Sequence, residues 1–280
     1  MRVLMTGGHG FVGSHVRTVS PRHATVYAPA SSEMDVRDMA SCVAAFSRFK
    51  PDICFHMAAV AGQMLSEGQA RRATAVNEQG TLNVIAAAGR MCRVVFFSSC
   101  HVYGVPQSLP LGEDHSLNGE SDYAKTKIFA ESEVLSQQTG DSVVLRLFNL
   151  TGPGQSTRFA LADWAMQSLQ GATEIKTGDL SLRRDYLDVR DAAQAVWHLG
   201  QKAKDKDVVN VCSGQSLSLQ TLFEAAAPGC RALPESDRFR ANDVAEIRGC
   251  TRKASSLGWA ASTPIERTIA DLRGELNARS

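Results

Sequence analysis

A chain of 280 residues can bury a full hydrophobic core and has room for one large domain or two. Its 30 basic residues against 29 acidic ones give nucleic acid or an anionic membrane surface no field to recognise. No apolar run approaches the roughly 20 residues of a membrane helix, and the seven scattered cysteines show no metal-ligand spacing, so reduced thiols in a cytoplasm and no bound metal are expected.

The chain opens on a short apolar run, Arg2 to Met5, which predicts a strand and leaves no room for a secretory leader. Gly7, Gly10 and Gly13 follow at intervals of three, with a helix expected from about Phe11. In that strand, turn, helix context the first glycine permits a tight turn and the second lets the backbone approach a pyrophosphate. The third allows close packing of the helix whose N-terminus, at Phe11 and Val12, faces the anion. Gly8 is one glycine more than the pattern needs. A second strand is predicted over Ala24 to Ala28. An NAD-preferring fold places Asp or Glu roughly 20 residues past the glycines to hold the ribose 2′-hydroxyl. Here Ala28-Pro29-Ala30-Ser31-Ser32 occupies that stretch. Without the acid nothing repels a 2′-phosphate, and His9, Ser31 and Ser32 are candidate contacts, although no well-placed arginine stands out. NADP(H) is therefore expected over NAD(H), which stays possible.

Further strands are expected at Ile53 to Met57, Val94 to Phe97 and Val143 to Phe148, alternating with helices at Met39 to Phe46, Asn77 to Gly89 and Ala124 to Gln137. Such alternation predicts an α/β fold, a Rossmann-type doubly wound parallel sheet. Tyr123 and Lys127, four residues apart, would share one helix face, so an ammonium can stand beside a phenol and favour its ionised form. The cluster Thr151-Gly-Pro-Gly-Gln ends the alternation, and shorter irregular pieces are expected beyond it. Residues 1–150 then form the dinucleotide-binding domain, with 183–212 returning to it. Residues 151–280 form mainly a smaller substrate-binding lobe over the carboxyl edge of the sheet, where ligands of open α/β sheets bind. Asp188 and Asp191 read as caps and surface groups, and Trp164, Trp197 and Trp259 as core or interface residues.

Taken together, TGGHGFVG at 6–13, PDICFHMAA at 51–59, NEQGTLN at 77–83, FFSSCHVYG at 96–104, YAKTK at 123–127 and RLFNLTGPGQ at 146–155 resemble the extended short-chain dehydrogenases/reductases that act on nucleotide sugars, the NAD-dependent epimerase/dehydratase family. RRDYLDVRDAAQAV at 183–196, NVCSGQ at 210–215 and RANDVAEIRG at 240–249 are similar to the branch containing GDP-mannose 4,6-dehydratase and GDP-4-keto-6-deoxy-mannose reductase. The resemblance implies that Tyr123 exchanges a proton with the sugar oxygen. Lys127 lowers its pKa and binds the nicotinamide ribose, and Ser99, with Ser98 as the alternative, holds the same oxygen. It also implies that Asp35, Val36, Ala58 and Ala59 flank the adenine and its ribose. Cys100 and Asn149 would face the sugar, while Arg184, with Arg183 as the alternative, and Arg240 would bind the nucleotide diphosphate. Members usually form homodimers by pairing the helix after Tyr123 with the one near Asn77 to Gly89.

Dehydratases of the family carry an acidic pair after the catalytic hydroxyl, where this chain has Cys100-His101. The expected function is therefore NAD(P)H-dependent reduction of a nucleotide-linked 4-keto-6-deoxy sugar in the cytoplasm. His101 remains a candidate acid or base because imidazole titrates near neutrality, which keeps an epimerase with tightly held NAD as the alternative. A 4,6-dehydratase is less favoured. An inactive nucleotide-binding scaffold would have no need of Ser99, Tyr123 and Lys127 together.

Overall fold

The computed structural model describes residues 1–62, 66–137, 140–235 and 243–279. The first half alternates β1 (Arg2–Thr6), α1 (Phe11–Thr18), β2 (Thr25–Tyr27), α2 (Met39–Phe49), β3 (Ile53–His56), α3 (Glu67–Ala73), α4 (Gly80–Ala88), β4 (Arg93–Ser99), α5 (Asp122–Ser136) and β5 (Ser142–Leu147). A π-helical turn, Thr74–Gln79, joins α3 to α4. The second half holds β6 (Asn149–Thr151), α6 (Ala160–Leu169), β7 (Glu174–Thr177), β8 (Arg183–Arg184), β9 (Tyr186–Asp188), α7 (Val189–Lys202) and β10 (Asp207–Val211). It ends with β11 (Leu217–Ser218), α8 (Leu219–Ala226), β12 (Arg231–Pro234), β13 (Glu246–Ile247), α9 (Arg252–Ser256) and α10 (Ile265–Arg279).

Six strands form one sheet in the order β10-β5-β4-β3-β1-β2, every pair parallel. Both faces are covered, as a parallel sheet requires, and the strand residues divide between them by simple alternation. Val3, Met5, Phe55, Val95, Phe97 and Leu145 pack under α1 and α7 with Val16, Val196 and Trp197. Leu4, Cys54 and Val94 face α2 and α4, while Phe96 and Val144 face Ala130 and Val134 of α5. Trp197 meets Phe55 edge-on at 5.0 Å and donates its indole N–H to the Val16 carbonyl at 2.7 Å, so its polar atom is satisfied in the core. The strand order changes direction between β1 and β3. That switch point opens a crevice beyond their carboxyl ends, where the register sets Thr6 against His56, and further along Ser99 against Leu147.

Beyond residue 151 the chain is more regular than its breakers suggest. α7 and α10 run 14 and 15 residues, as long as α5. α7 begins at Asp188, whose carboxylate caps the Arg190 N–H, and it returns the chain to the sheet as β10. A second core of Leu161, Trp164, Ile175, Phe223, Leu272 and Leu276 unites α6, α8 and α10 with the small sheet β7-β12. Asp188 and Asp191 are both buried and not surface groups. Asp191 accepts from the backbone and hydroxyls of Ser262 and Thr263. All three tryptophans are buried.

Candidate active site

The glycine turn between β1 and α1 has the shape the motif predicts, and each glycine has a local reason. Gly7 lies at φ +69°, and a Cβ there would stand 2.7 Å from the Ala58 nitrogen at the end of β3. One on Gly13 would stand 2.4 Å from the Gly7 oxygen, so α1 presses directly on the turn. The extra glycine is explained as well, since a Cβ on Gly8 would meet the Ala28 Cβ at 2.8 Å. Gly10, Phe11 and Val12 open α1, and no side chain caps its first turn, which leaves backbone N–H groups for an anion. This cradle fits a dinucleotide pyrophosphate.

Beneath the turn a directed hydrogen-bond chain joins β1, β3 and α4. Ala58 N donates to Thr6 Oγ1 (3.2 Å), Thr6 Oγ1 bonds His56 Nδ1 (2.7 Å), His56 Nε2 bonds Thr81 Oγ1 (2.9 Å), and Thr81 Oγ1 donates to the Asn77 carbonyl (2.6 Å). Burial holds His56 neutral, down to about 3, and the charge of Lys127 adds to the effect. Asn77 was not singled out from the sequence, yet it ties the segment after β3 to α5. Its amide accepts from Val60 N at 2.8 Å and donates to Val60 O at 3.1 Å and to Thr126 Oγ1 at 2.9 Å, next to Tyr123 on α5. No spacing in the sequence marks it; the structure places it in a π-helical turn, a feature common at functional sites.

The other expected cofactor contacts are placed as follows. Ala58 borders the core under α2 and α4, and Ala59 is exposed beside it. Val36 is buried against Gly80, while the Asp35 carboxylate is gripped by Arg37 and held below the usual carboxylate range by that hydrogen bond. His9, Ser31 and Ser32 are exposed near the end of β2. One feature contradicts the sequence reading. An arginine does stand there, because Arg17 of α1 reaches back to donate from Nη1 to His9 Nδ1 at 3.2 Å.

At the carboxyl end of β4 the structure brings Ser99, Tyr123 and Lys127 together. α5 starts at Ser121, whose hydroxyl accepts from Ala124 N, and it turns Tyr123 and Lys127 into the buried space over β4. Ser99 accepts from His101 N at 3.3 Å and stands close enough to Tyr123 to pull its phenol down. Ser98, on the opposite face of the strand, has a buried hydroxyl without a partner among the described residues. Lys127 Nζ donates to the Phe97 carbonyl at 2.7 Å and lies 4.7 Å from the centre of the Phe96 ring. Burial lowers Lys127 to about 7, opposed by the Glu131 carboxylate one turn along α5. Burial also pushes the Tyr123 phenol up to about 12, against the pull of nearby Ser99. The expectation that Lys127 draws Tyr123 towards phenolate is therefore not met. The ammonium is spent on a carbonyl, the phenol is desolvated, and Tyr123 is a protonated donor at neutral pH.

His101 stacks edge-on against Tyr123, with ring centres 6.2 Å apart. Cys100 is fully buried, and its thiol is pushed up to about 12 by burial first and then by the Asp185 carboxylate, so it is not a thiolate base. Asn149, just past β5, donates to the Asp185 carbonyl at 3.2 Å. Arg184 lies close enough to influence Cys100. Its guanidinium is committed, however, to Asp243 at 2.6 Å and to the Val244 carbonyl at 2.7 Å, so a diphosphate contact would have to displace Asp243. Arg183 is exposed and donates to the Ser216 carbonyl. Arg240 lies outside the described residues. Behind α5, Arg146 is clamped on Glu131 and also donates to Tyr103 Oη and Glu113 O, both at 2.9 Å. Fifteen positions separate the two residues, and no local spacing marks them as a buried pair.

Comparison with known proteins agrees with this geometry. The NAD dependent epimerase/dehydratase family model matches residues 3–212. GDP-6-deoxy-D-mannose reductase of Pseudomonas aeruginosa is 28% identical over 298 residues, covering 99% of this chain and 98% of that protein. UDP-glucose 4-epimerase of Mycolicibacterium smegmatis is also 28% identical, over 305 residues and 96% of each chain. The solved structure of RMD from Pseudomonas aeruginosa complexed with NADPH superposes with a TM-score of 0.88 at 28% identity, covering 100% of this chain and 99% of that one. The family match runs from the first strand of the central sheet to its last, and this chain belongs to the NAD-dependent epimerase/dehydratase family, the extended short-chain dehydrogenases/reductases that modify nucleotide sugars with NAD(P).

Proposed function

We propose that the protein is an NADPH-dependent reductase of a nucleotide-linked 4-keto-6-deoxy sugar. The observation that carries this reading is a buried, protonated Tyr123 beside Ser99, with Cys100-His101 and not a carboxylate base following that serine. Removing a carbon-bound proton to expel water needs a base there. Protonating an alkoxide needs only an acid, and a phenol near 12 is one. The relative that reduces a GDP-6-deoxy sugar, as its name states, supports the substrate class.

The bound NADPH supplies the hydride. Tyr123 gives its proton to the sugar oxygen as charge develops there, and Ser99 donates a hydrogen bond to the same atom. Lys127, fixed by the Phe97 carbonyl, holds the nicotinamide ribose and keeps a positive charge near the phenolate that Tyr123 becomes. The lobe of α6, α8 and α10 closes over the nucleotide, with Cys100 and Asn149 towards the sugar. Exposed Phe129 on α5 supports pairing of two copies through α4 and α5, and the free state of all seven cysteines supports a reducing cytoplasm.

A second reading, C4 epimerisation with tightly held NAD, is favoured by the equally identical UDP-glucose 4-epimerase. Incubation with NADPH and GDP-4-keto-6-deoxy-mannose separates the two. Reduction releases oxidised cofactor mole for mole with product, whereas an altered sugar with no cofactor turnover refutes it.

A further inference from the structure

We infer that Arg17, steered by His9, is the receptor for the adenosine 2′-phosphate of NADPH; this rests on the NADPH reading above. The carboxylate that would bind an unmodified ribose belongs roughly 20 residues past the first glycine, and Ala28 occupies that place at the end of β2. Here the backbone carbonyl of Ala28 accepts from His9 Nε2 at 3.0 Å, and His9 Nδ1 meets Arg17 Nη1 at 3.2 Å. The directions of both bonds are forced. A carbonyl only accepts and a guanidinium only donates, so His9 is the neutral tautomer with its proton on Nε2. It is a strut that fixes the guanidinium beside the vacated acid position.

The glycine turn cooperates. A Cβ on Gly8 would lie 2.8 Å from the Ala28 Cβ, which brings the end of β2 against the turn, and 3.5 Å from Arg17 Cδ, so the arginine stem passes alongside the same turn in ordinary contact. Among the described residues no carboxylate stands within ion-pair distance of Arg17. Glu33, on the loop after β2, directs its carboxylate at Ala30 N at 2.8 Å. One of the five guanidinium N–H groups is used on His9, and the rest of the planar fork is available to bind two phosphate oxygens. Exposed Ser31 and Ser32 on the same loop can add hydroxyl donors.

Calorimetric titration with NADPH, NADH, adenosine 2′,5′-bisphosphate and 5′-AMP tests this without turnover. The wild type is expected to favour NADPH and the bisphosphate. Arg17→Met keeps the stem and removes the charge, so NADPH and bisphosphate affinity should fall roughly 10- to 100-fold, the worth of one or two charge-assisted hydrogen bonds. NADH and 5′-AMP affinities serve as the control for an intact turn. Should Arg17→Met fail to fold, Arg17→Lys decides, because it keeps the charge without the fork and should lose a smaller factor for the 2′-phosphorylated ligands alone. A variant that retains the wild-type NADPH preference overturns the role of Arg17 and leaves the cofactor reading standing. Equal loss of all four ligands makes Arg17 a structural prop and also overturns it. A wild type that prefers NADH removes both.

Discussion

Replacing Glu131 by Gln separates what the buried ion pair does for the fold from what it does for catalysis. The Arg146 and Glu131 side chains are 5% and 2% exposed. Removing one member of such a pair leaves the other charge uncompensated and costs about 3–5 kcal/mol. The bonds of Arg146 to Tyr103 and Glu113 survive, so the lower end of that range is expected. At about 2 °C or slightly more per kcal/mol for a chain of this size, melting should fall by at least roughly 6 °C. A second effect follows from position. Glu131 opposes the burial that depresses Lys127 to about 7, and without its charge the ammonium falls further. If protonated Lys127 is the competent form, activity is lost as pH rises through that pKa, and the alkaline limb of kcat/KM moves to lower pH in Glu131→Gln. Adding Arg146→Met removes the stranded charge and should restore much of the melting temperature but not the pH limb. Calorimetry and a pH–rate profile read the two effects independently. A melting change under about 2 °C together with an unmoved limb would refute the reasoning.

Tyr123→Phe removes the proton donor and should lower kcat by about 10²–10⁴-fold, while cofactor affinity by titration stays near wild type; undiminished turnover rules out the acid role. Gly13→Ala places a methyl 2.4 Å from the Gly7 oxygen. It should cost about 1–3 kcal/mol of overpacking and weaken NAD(P) binding at least tenfold; unchanged affinity would contradict the cradle geometry. His56, about 3 when folded against 6.5 free, takes up no proton in the native state where the unfolded chain does. Stability is therefore full above pH 6.5 and falls as pH drops towards 3, by on the order of 5 kcal/mol. His56→Asn should flatten this acid limb in denaturant titrations, and a limb of wild-type steepness would show that His56 is not its source.

The features legible in the sequence were local ones. Gly7, Gly10 and Gly13 act within one turn, and Tyr123 and Lys127 within one turn of helix, so spacing alone exposes them. Asn77 bonds Thr126 from 49 positions away, and Arg17 finds His9 only because α1 doubles back over the turn. Neither meeting leaves a periodic trace. The direction of the Tyr123 and Lys127 shifts was also out of reach, since spacing reports proximity but desolvation is a property of everything packed around a group. The helices α7 and α10 were underestimated because Gly152, Pro153 and Gly154 interrupt the chain just once, before structure resumes.

The chain of bonds beneath the glycine turn has one further property. Its first member is the Ala58 backbone N–H, which can only donate, and its last is the Asn77 carbonyl, which can only accept. Thr6, His56 and Thr81 between them must all point the same way, because reversing one would leave two donors or two acceptors face to face. A relay that carries protons has to be able to reset after each passage, and this one is terminated at both ends by groups that neither gain nor lose a proton. It works as an insulator: no proton can be passed along Thr6, His56 and Thr81, and on the proposed mechanism the proton given up by Tyr123 would be replaced by another route.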